Sequence, residues 1–348
     1  MQIIPYRLLR DSPFILINMN DSLVASSTYP RLLADIGGTN ARFALEVAHQ
    51  QFEAITVLPG ANYASLADAM RAYIQGLSHG ADAAPIAHAA IAIANPVDGD
   101  HVQMTNHHWA FSIDGMQKEL GFASLLVVND FTALARAVPH LGATQKQQIG
   151  GGRPRQGGVI GLLGAGTGLG VSGIVRSGNG WIALQSEGGH VTFSPSDERE
   201  IDILRFAWRE FAHVSAERLL SGVGLELIYR ALAHRAGVAA ENLSAPEITR
   251  QGLSGQSIVC AETIECFCAM LGTIAGNIAI TLGTQGGIYI GGGIVPRLGN
   301  YFQQSPFRQR FEAKGRFSGW LAQVPTWVIT AEYPAFLGVS SMLQEHLA

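Results

Sequence analysis

The sequence predicts an α/β protein built from two similar halves. From Arg31 onward, apolar runs typical of buried strands alternate with segments of helical periodicity. The second half repeats the start of the first, because each opens with a strand, a turn rich in glycine and threonine, and two further strands. A chain of 348 residues is also too long for one ordinary hydrophobic core. We therefore expect two domains of one topology with a cleft between them.

Composition limits the classes of function. Hydrophobic residues make up 47% of the chain and charged residues 14%, and its 41 glycines are scattered, which indicates a globular protein with many turns. The net charge of −4 argues against a nucleic acid or an anionic membrane as the main partner. Cys260, Cys266 and Cys268 match neither a zinc knuckle nor a disulfide framework. Buried free thiols in a reducing compartment, the cytoplasm, are the expectation.

Residues 1–30 do not share the pattern that follows. The apolar run at 14–17 is too short for a signal peptide core or a membrane span. We expect an N-terminal extension that is either a loosely ordered tail or the product of an upstream start codon, with Met19 as the true beginning.

The first glycine turn follows a strand that ends in Asp35. Glycines 37 and 38 let a backbone approach a ligand closely, and Thr39 and Asn40 add donors. Asp35 stands where a hydrated cation could be held. A phosphate group with Mg²⁺ fits this arrangement, and a tight hairpin whose glycines serve only the turn is the alternative.

The remaining elements of the first half follow from periodicity. Strands are predicted at 32–35, 41–46, 53–58, 86–94 and 125–128. Helices are predicted at 66–77, after Ser112 as N-cap, and at 131–138.

A polar pair, Asn129 and Asp130, stands where a buried strand becomes a helix. Ligands in open α/β sheets gather at the carboxyl ends of strands, so this junction is a candidate site. A helix N-terminus favours an ionised Asp130 that accepts a proton or a hydroxyl hydrogen bond. Simple N-capping by either residue is the alternative.

The second half begins with strands at 159–163, 171–175 and 181–184, joined first by the glycine loop Gly164–Gly170. No helix follows these glycines and the chain has no Gly-Lys-Ser/Thr, so neither a dinucleotide fingerprint nor a Walker A loop applies. Two glycine hairpins that face each other across a cleft could clasp a polyphosphate.

Further polar candidates follow. Glu187 and His190 flank a flexible Gly-Gly and could reach one small ligand, although His190 is equally readable as a packing residue or turn donor. Glu217 has a capping or ion-paired alternative. Later elements are a helix from Ser196, a long buried helix over 264–278, strands at 288–290 and 324–330, a helix near Pro296, and a final helix from Pro334.

Six strings together resemble those of bacterial glucokinases, the ATP-dependent sugar kinases of hexokinase type. They are 35–42, 125–135, 164–170, 187–190, 215–222 and 291–297, and the string 104–111 strengthens the match. The resemblance covers nearly everything from Leu32 to the C-terminus in the same order. It implies the actin-like, ribonuclease-H-like fold, with a small domain over 31–140 joined by the C-terminal helix 334–348, and a large domain over 141–333.

The resemblance also implies residue roles in the transfer of the ATP γ-phosphate to the 6-hydroxyl of glucose. Asp130 matches the catalytic base, and Asn129, Glu187, His190 and Glu217 match the glucose-binding residues. The residues that match ATP-binding segments are Asp35, Ile36, Gly37, Gly38, Thr39 and Asn40, then Gly164, Ala165, Gly166, Thr167 and Gly168, and finally Gly291, Gly292 and Gly293. Mg²⁺ would be held by ATP oxygens and, through water, by Asp35. A cytoplasmic homodimer is what the family suggests.

The departures from the family are small. Gln185-Ser186 stands before Glu187 where some relatives have Pro-Gly, Asn95 varies, and the extension over 1–30 has no counterpart. The cysteine-rich zinc motif of the related repressor and kinase group is missing, so structural zinc is not implied. Two alternatives remain at this point: a non-catalytic sugar sensor of the same fold, and an actin-like structural ATPase.

Overall fold

The structure, a computed structural model, describes residues 28–77, 85–105, 107–178 and 180–348. The predicted extension is therefore described only at 28–30, and residues 1–27 lie outside the described part of the chain. The same is true of residue 106 in the string 104–111.

In the first region, residues 31–140, the described residues form seven strands. They are β1 (Arg31–Ile36), β2 (Asn40–Ala48), β3 (Gln51–Pro59), β4 (His88–Ile93), β5 (His101–Gln103), β6 (Ala110–Ser112) and β7 (Ser124–Asn129). Five of them form a sheet in the order β3-β2-β1-β4-β7, and β5 pairs with β6 in a separate hairpin. The predicted strands are confirmed. The short hairpin was not predicted, because strands of three residues are too short to show an alternating pattern.

This sheet combines an antiparallel hairpin with parallel strands. Strand β1 pairs antiparallel with β2, in a register that places Asp35 opposite Arg42, and parallel with β4. Strand β4 pairs parallel with β7, with Ile93 beside Asn129. The carboxyl ends of β1, β4 and β7 therefore lie at one edge of the sheet, and that edge carries Asp35, Asn95 and Asn129.

The helices of this region begin where the sequence supplies caps. They are α1 (Leu66–Gly76), α2 (Ile113–Leu120) and α3 (Asp130–Ala137). The Ser65 side chain accepts a hydrogen bond from the backbone N–H of Asp68, and Ser112 accepts one from Gly115, as predicted for Ser112. Gly121 ends α2 at a φ of 74°, a conformation that favours glycine.

The second region, residues 141–333, has a six-stranded sheet in the order β11-β10-β9-β12-β13-β8. Its strands are β8 (Lys146–Ile149), β9 (Ile160–Ala165), β10 (Leu169–Ser177), β11 (Gly180–Leu184), β12 (Gly287–Gly291) and β13 (Thr326–Ile329). The order β11-β10-β9-β12-β13 repeats that of the first sheet, which confirms the predicted repeat. Strand β8 was not predicted, because Lys-Gln-Gln-Ile is polar and lies at the sheet edge, where burial imposes no pattern.

Helices cover the second sheet. They are α4 (Glu198–Ala207), α5 (Ala216–Leu219), α6 (Gly222–Arg235), α7 (Ala245–Leu253), α8 (Ile258–Leu282), α9 (Ile294–Arg297), α10 (Asn300–Gln304), α11 (Phe307–Glu312) and α12 (Ser318–Ala322). The helix predicted from Ser196 begins at Glu198, and its cap is Asp197, whose carboxylate accepts from the backbone N–H of Glu200.

Helix α8 forms the core of the second region. Its Gly272 and Gly276 lie against the backbone of α11. A Cβ on Gly272 would overlap the carbonyl oxygen of Phe307, and a Cβ on Gly276 would come within 2.7 Å of the carbonyl oxygen of Phe311. Cys260, Cys266 and Cys268 are buried free thiols, as predicted. Among the described residues, α8 is the one helix with the length and composition of a membrane span, but 72% of its most apolar window is buried inside the protein, as in a core helix.

The last helix, α13 (Pro334–His346), returns to the first sheet. It packs against α3, β4 and β1, and its Phe336 and Val339 share a buried cluster with Leu33 and Ala90. At the crossing with α3, a Cβ on Gly338 would overlap the carbonyl oxygen of Ala133. The two helices are therefore in direct backbone contact.

A buried polar network fastens the same helix to β1 and β2. The fully buried guanidinium of Arg31 lies 3.7 Å from the Glu46 carboxylate and donates to Oε1 of Gln344 at 2.8 Å. The hydroxyl of Ser340 donates to Oε1 of Glu46. Breaking one partner of this network would leave a buried charge unpaired, which is costly. The network therefore holds α13 on the sheet in addition to the apolar contacts.

We expect Gly338→Ala to destabilise the protein, because its methyl group must push α13 away from Ala133. Overpacking of this kind costs about 1–3 kcal/mol. Thermal or urea unfolding measures the loss. The matched control is Gly319→Ala in α12, where a Cβ meets nothing within 4 Å and helix propensity favours alanine. Equal stability of the two variants would contradict the close crossing.

Candidate functional site

The first glycine hairpin lies at the turn between β1 and β2. The backbone N–H of Gly37 donates to the carbonyl of Asn40 at 3.0 Å, which closes the turn and leaves Gly38 and Thr39 exposed. The Asp35 carboxylate lies 3.1 Å from the Arg42 guanidinium on the opposite strand. Burial raises the pKa of Asp35, although Arg42 acts in the opposite direction.

The amide of Asn129 caps helix α3. Its oxygen accepts from the backbone N–H groups of Phe131 at 3.0 Å and Thr132 at 3.1 Å. Its nitrogen donates to the carbonyl of Asn95 at 3.3 Å and to Oδ1 of Asp130 at 3.1 Å. The capping alternative is therefore correct for Asn129. A sugar hydroxyl would have to share or replace one of these four hydrogen bonds, and the sugar role remains a prediction.

Asp130 occupies the first turn of α3 with its carboxyl group partly buried. Oδ1 accepts from the backbone N–H of Phe131 at 2.9 Å. Burial, reinforced by the nearby negative charge of Asp35, raises the pKa of Asp130 to about 6. The prediction that the helix N-terminus favours the ionised form is therefore wrong in its net effect, because desolvation outweighs the backbone hydrogen bonds that lower the pKa. A carboxylate with such a pKa is a better proton acceptor near neutral pH than an ordinary aspartate.

Phe131, which was not predicted as a site residue, connects the junction of β7 and α3 to the second glycine loop. A Cβ on Gly170 would overlap the Phe131 ring, and one on Gly164 would come within 2.8 Å of it. Gly164 and Gly170 are direct partners across β9 and β10. A pair of glycines facing each other on neighbouring strands was the available signal that a large ring lies on them. The N-terminus of α3 is thereby fixed against the second glycine hairpin.

The second and third glycine segments are in backbone contact. The carbonyl of Gly166 accepts from the N–H of Gly222 at 2.9 Å, and the N–H of Gly166 donates to the carbonyl of Gly168 at 2.8 Å. Gly292 has a φ of +80°, and a Cβ there would overlap the carbonyl oxygen of Ala165. The predicted segments Gly164–Gly168 and Gly291–Gly293 therefore come together, whereas Asp35–Asn40 lies on the other sheet.

A cavity of about 680 Å³ opens beside the second and third segments. The residues that line it are Gly166, Thr167, Gly222, Leu225, Ala245, Pro246, Thr249, Arg250, Leu253, Gly293, Ile294 and Arg297. Glycine backbone at one end, apolar side chains and two guanidinium groups suit a ligand with phosphates and a flat ring. Leu225 and Arg250 were not predicted as site residues, because nothing in their local sequence pattern distinguishes them from ordinary helix residues.

The remaining predicted sugar residues converge. Nε2 of His190 lies 3.9 Å from a carboxylate oxygen of Glu187 and 3.9 Å from one of Glu217. The side chains of His190 and Glu187 are 60% and 70% exposed, so neither is a packing residue. Glu187 and Asn129 line a second cavity of about 450 Å³ between the two regions. Glu187 therefore faces Asn129 across this cavity, and His190 and Glu217 lie beside Glu187.

The described residues hold no group of three or more His, Cys, Asp and Glu side chains that could bind a metal on their own. Asp35 and Asp130 are close enough for the charge of Asp35 to raise the pKa of Asp130. A divalent cation that also binds phosphate oxygens would offset this repulsion, so the donor set fits the predicted water-mediated Mg²⁺.

Comparison with known proteins places this geometry in a family. The family model described as Glucokinase matches residues 32–346. The chain is 58% identical over 320 residues to the protein named bifunctional protein glk of Burkholderia pseudomallei, covering 92% of this chain and 49% of that protein. It thus spans about half the length of that relative. It is 53% identical over 320 residues to a glucokinase of Chromobacterium violaceum, covering 92% of this chain and 91% of the relative.

Solved structures agree. The crystal structure of a glucokinase from an Antarctic psychrotroph matches with a TM-score of 0.82 and 35% identity, covering 91% of this chain and 99% of that one. This likeness confirms the predicted fold class of two actin-like α/β domains. By sequence match over nearly its whole described length and by fold, the chain belongs to the glucokinase family.

Proposed function

We propose that the protein is a glucokinase, which transfers the γ-phosphate of ATP to the 6-hydroxyl of D-glucose and so forms glucose 6-phosphate and ADP. The observation that carries the proposal is the position of Asp130. Its carboxyl group lies at the N-terminus of α3, next to the residue that packs on the second glycine hairpin and near enough to Asp35 to feel its charge, and its pKa is raised to about 6. Phosphoryl transfer to an uncharged hydroxyl needs such a group beside the phosphate-binding segments.

Asp130 would act as the catalytic base. It accepts the proton of the sugar hydroxyl as that oxygen attacks the γ-phosphorus. Its Oδ1 is already occupied by the backbone N–H of Phe131, so Oδ2 is the oxygen with greater freedom to meet the hydroxyl.

The glycine segments would hold the nucleotide. The exposed turn at Gly38 and Thr39 and the loop residues Thr167 and Gly168 would present backbone N–H groups to phosphates, and the 680 Å³ cavity would accept the adenosine. Mg²⁺, when bound to the phosphates and through water to Asp35, would neutralise charge that develops in the transition state. Arg42 holds the Asp35 carboxylate in place from the opposite strand.

The sugar would lie among Asn129, Glu187, His190 and Glu217. A site whose side chains hydrogen-bond the sugar hydroxyls discriminates strongly against sugars that lack one of these hydroxyls. We further propose that the domain over 31–140 with 334–348 closes on the domain over 141–333, since the site residues come from both, and closure excludes water. A cytoplasmic homodimer is the proposed working form. Its support is the family resemblance, together with the buried free cysteines for the compartment.

The proposal is tested by a coupled assay for glucose 6-phosphate with Mg²⁺-ATP. Glucose, mannose, fructose, N-acetylglucosamine and no sugar are compared, and ADP release is followed in parallel. Product with glucose far above the other sugars would support the glucokinase. Glucose binding without product would favour the sugar sensor, and ADP release without sugar would favour the structural ATPase.

Asp130→Asn should lower kcat by about 10²-fold or more while glucose still binds, because the amide keeps the shape but accepts no proton. Steady-state kinetics and calorimetric glucose titration check this. Asp114→Asn, the same change in the exposed first turn of α2, is the control and should leave kcat unaltered. Near-normal turnover of Asp130→Asn would remove Asp130 from the mechanism.

The pH profile of kcat/KM for glucose should show an acid limb near pH 6. Asp130 must be ionised to act, so the rate falls as pH drops through its pKa of about 6. In Asp35→Asn one of the causes that raise this pKa is gone, and the limb should move to lower pH. A limb that stays in place or moves upward would show that Asp35 does not act on Asp130.

Glu187→Ala and His190→Ala should each raise the glucose KM about 10-fold or more, since a hydrogen bond that involves a charged group contributes about 1.5–3 kcal/mol. The exposed Glu198→Ala serves as control. An unchanged glucose KM in both variants would mean that these side chains only shape the turn.

A further inference from the structure

Three segments of the second region meet at the backbone of Leu169, the residue that follows the loop Gly164–Gly168. Its N–H donates to Oε2 of Glu217 at 2.9 Å. Its carbonyl faces Gly189, where a Cβ would overlap the carbonyl oxygen. The predicted sugar residues on α5 and on the turn 187–190 therefore contact the first residue of β10. This strand follows the loop Gly164–Gly168, which we call the phosphate loop.

Glu217 contacts both sides of this junction with one carboxylate. While Oε2 holds Leu169, Oε1 lies 3.9 Å from Nε2 of His190, on the sugar side. The same carboxylate fills the space beside Gly168, because a Cβ at Gly168 would overlap Oε2. Gly168 does not have a positive φ, so the approach of Glu217, and not the backbone conformation, requires glycine there.

A second attachment ties the same segment to the loop. The N–H of Gly222, three residues beyond α5, donates to the carbonyl of Gly166 at 2.9 Å. Ser221 caps α6 through the N–H of Gly224 at 3.2 Å, which fixes Gly222 on a rigid helix. The segment 216–222 is thus bound to the phosphate loop at both ends.

We propose that Glu217 is a positioning residue that couples the sugar site to the phosphate loop, so that each substrate increases the affinity for the other. The inference rests on the proposed glucokinase function and deepens it. A sugar hydroxyl bound to Oε1 fixes the carboxylate, and the fixed carboxylate holds the N–H of Leu169 and the loop in the conformation that receives phosphates. Coupling of this kind is reciprocal by thermodynamic necessity.

The test measures the coupling factor directly. Calorimetry with the full chain gives the glucose dissociation constant alone and with saturating Mg²⁺ and a non-hydrolysable ATP analogue. The ratio of the two constants is the factor, and we expect about 5 or more for the wild type, within the usual range of about 5–150. In Glu217→Ala the factor should fall to about one. Glu217→Gln keeps an acceptor for the N–H of Leu169 and should retain more of the factor than alanine does.

Gly168→Ala attacks the same link from the nucleotide side. Its methyl group displaces the Glu217 carboxylate without touching the predicted sugar position, so the factor should fall and glucose should bind more weakly even without nucleotide. Glu187→Ala is the matched control. It should weaken glucose binding but keep the factor, because Glu187 makes no hydrogen bond to the loop within the described part of the chain.

The outcomes separate the two proposals. A wild-type factor of one, or Glu217→Ala and Gly168→Ala variants with the wild-type factor, would overturn the coupling and leave the glucokinase function standing. A loss of the factor in Glu187→Ala as well would also overturn it, since any damage to the sugar site would then have the same effect. Failure of the wild type to phosphorylate glucose would remove the proposed function itself, and the coupling built on it.

Discussion

The contact of the Phe131 ring with Gly164 and Gly170 is the constraint on which the site depends. It fixes the N-terminus of α3 against the second glycine hairpin, while β7 and the Asn129 cap fix the same helix to the first sheet. Asp130 is adjacent in sequence to both attachments. The position of the Asp130 carboxylate relative to the second glycine loop is therefore set by backbone geometry and one rigid ring, and little depends on flexible side chains.

The same arrangement carries a cost in stability. The folded protein raises the pKa of Asp130 to about 6, above its ordinary value, so the native state favours the protonated form. Between the ordinary pKa of 3.8 and about 6, the unfolded chain is ionised at this residue while the native carboxyl keeps its proton, so the stability of the native state falls as pH rises through this window, by on the order of 2 kcal/mol after screening by solvent. A cation held between Asp35 and Asp130 would reverse part of this penalty. In the proposed complex with Mg²⁺ and nucleotide, this electrostatic penalty would therefore be smaller.

The sequence predicted the elements whose signal is local. Buried strands such as β4, the N-cap of α2 and the repeat of two glycine hairpins all appear in residue type and spacing. What it missed depends on distant contacts. The importance of Phe131 becomes visible only when Gly164 and Gly170 are seen to face each other. Arg250 is identified as a cavity residue only from the packing of α7 beside the second glycine loop, and β8 is recognised as a strand only because it pairs with β13. The contacts of Glu217 with both Leu169 and His190 were likewise not predictable, because Leu169 is far from Glu217 in the chain.

The crossing of α13 on α3 has a consequence for how the protein is made. The first sheet is complete only when Phe336 and Val339 cover Leu33 and Ala90 and when Gln344 reaches the buried Arg31. A ribosome therefore releases the strands of the first sheet long before the helix that shields one of their faces. The second region is contiguous in sequence and can acquire its core earlier. The part of the chain that is synthesised first is thus the part that finishes folding last, and until then it exposes an apolar sheet face that chaperones would recognise.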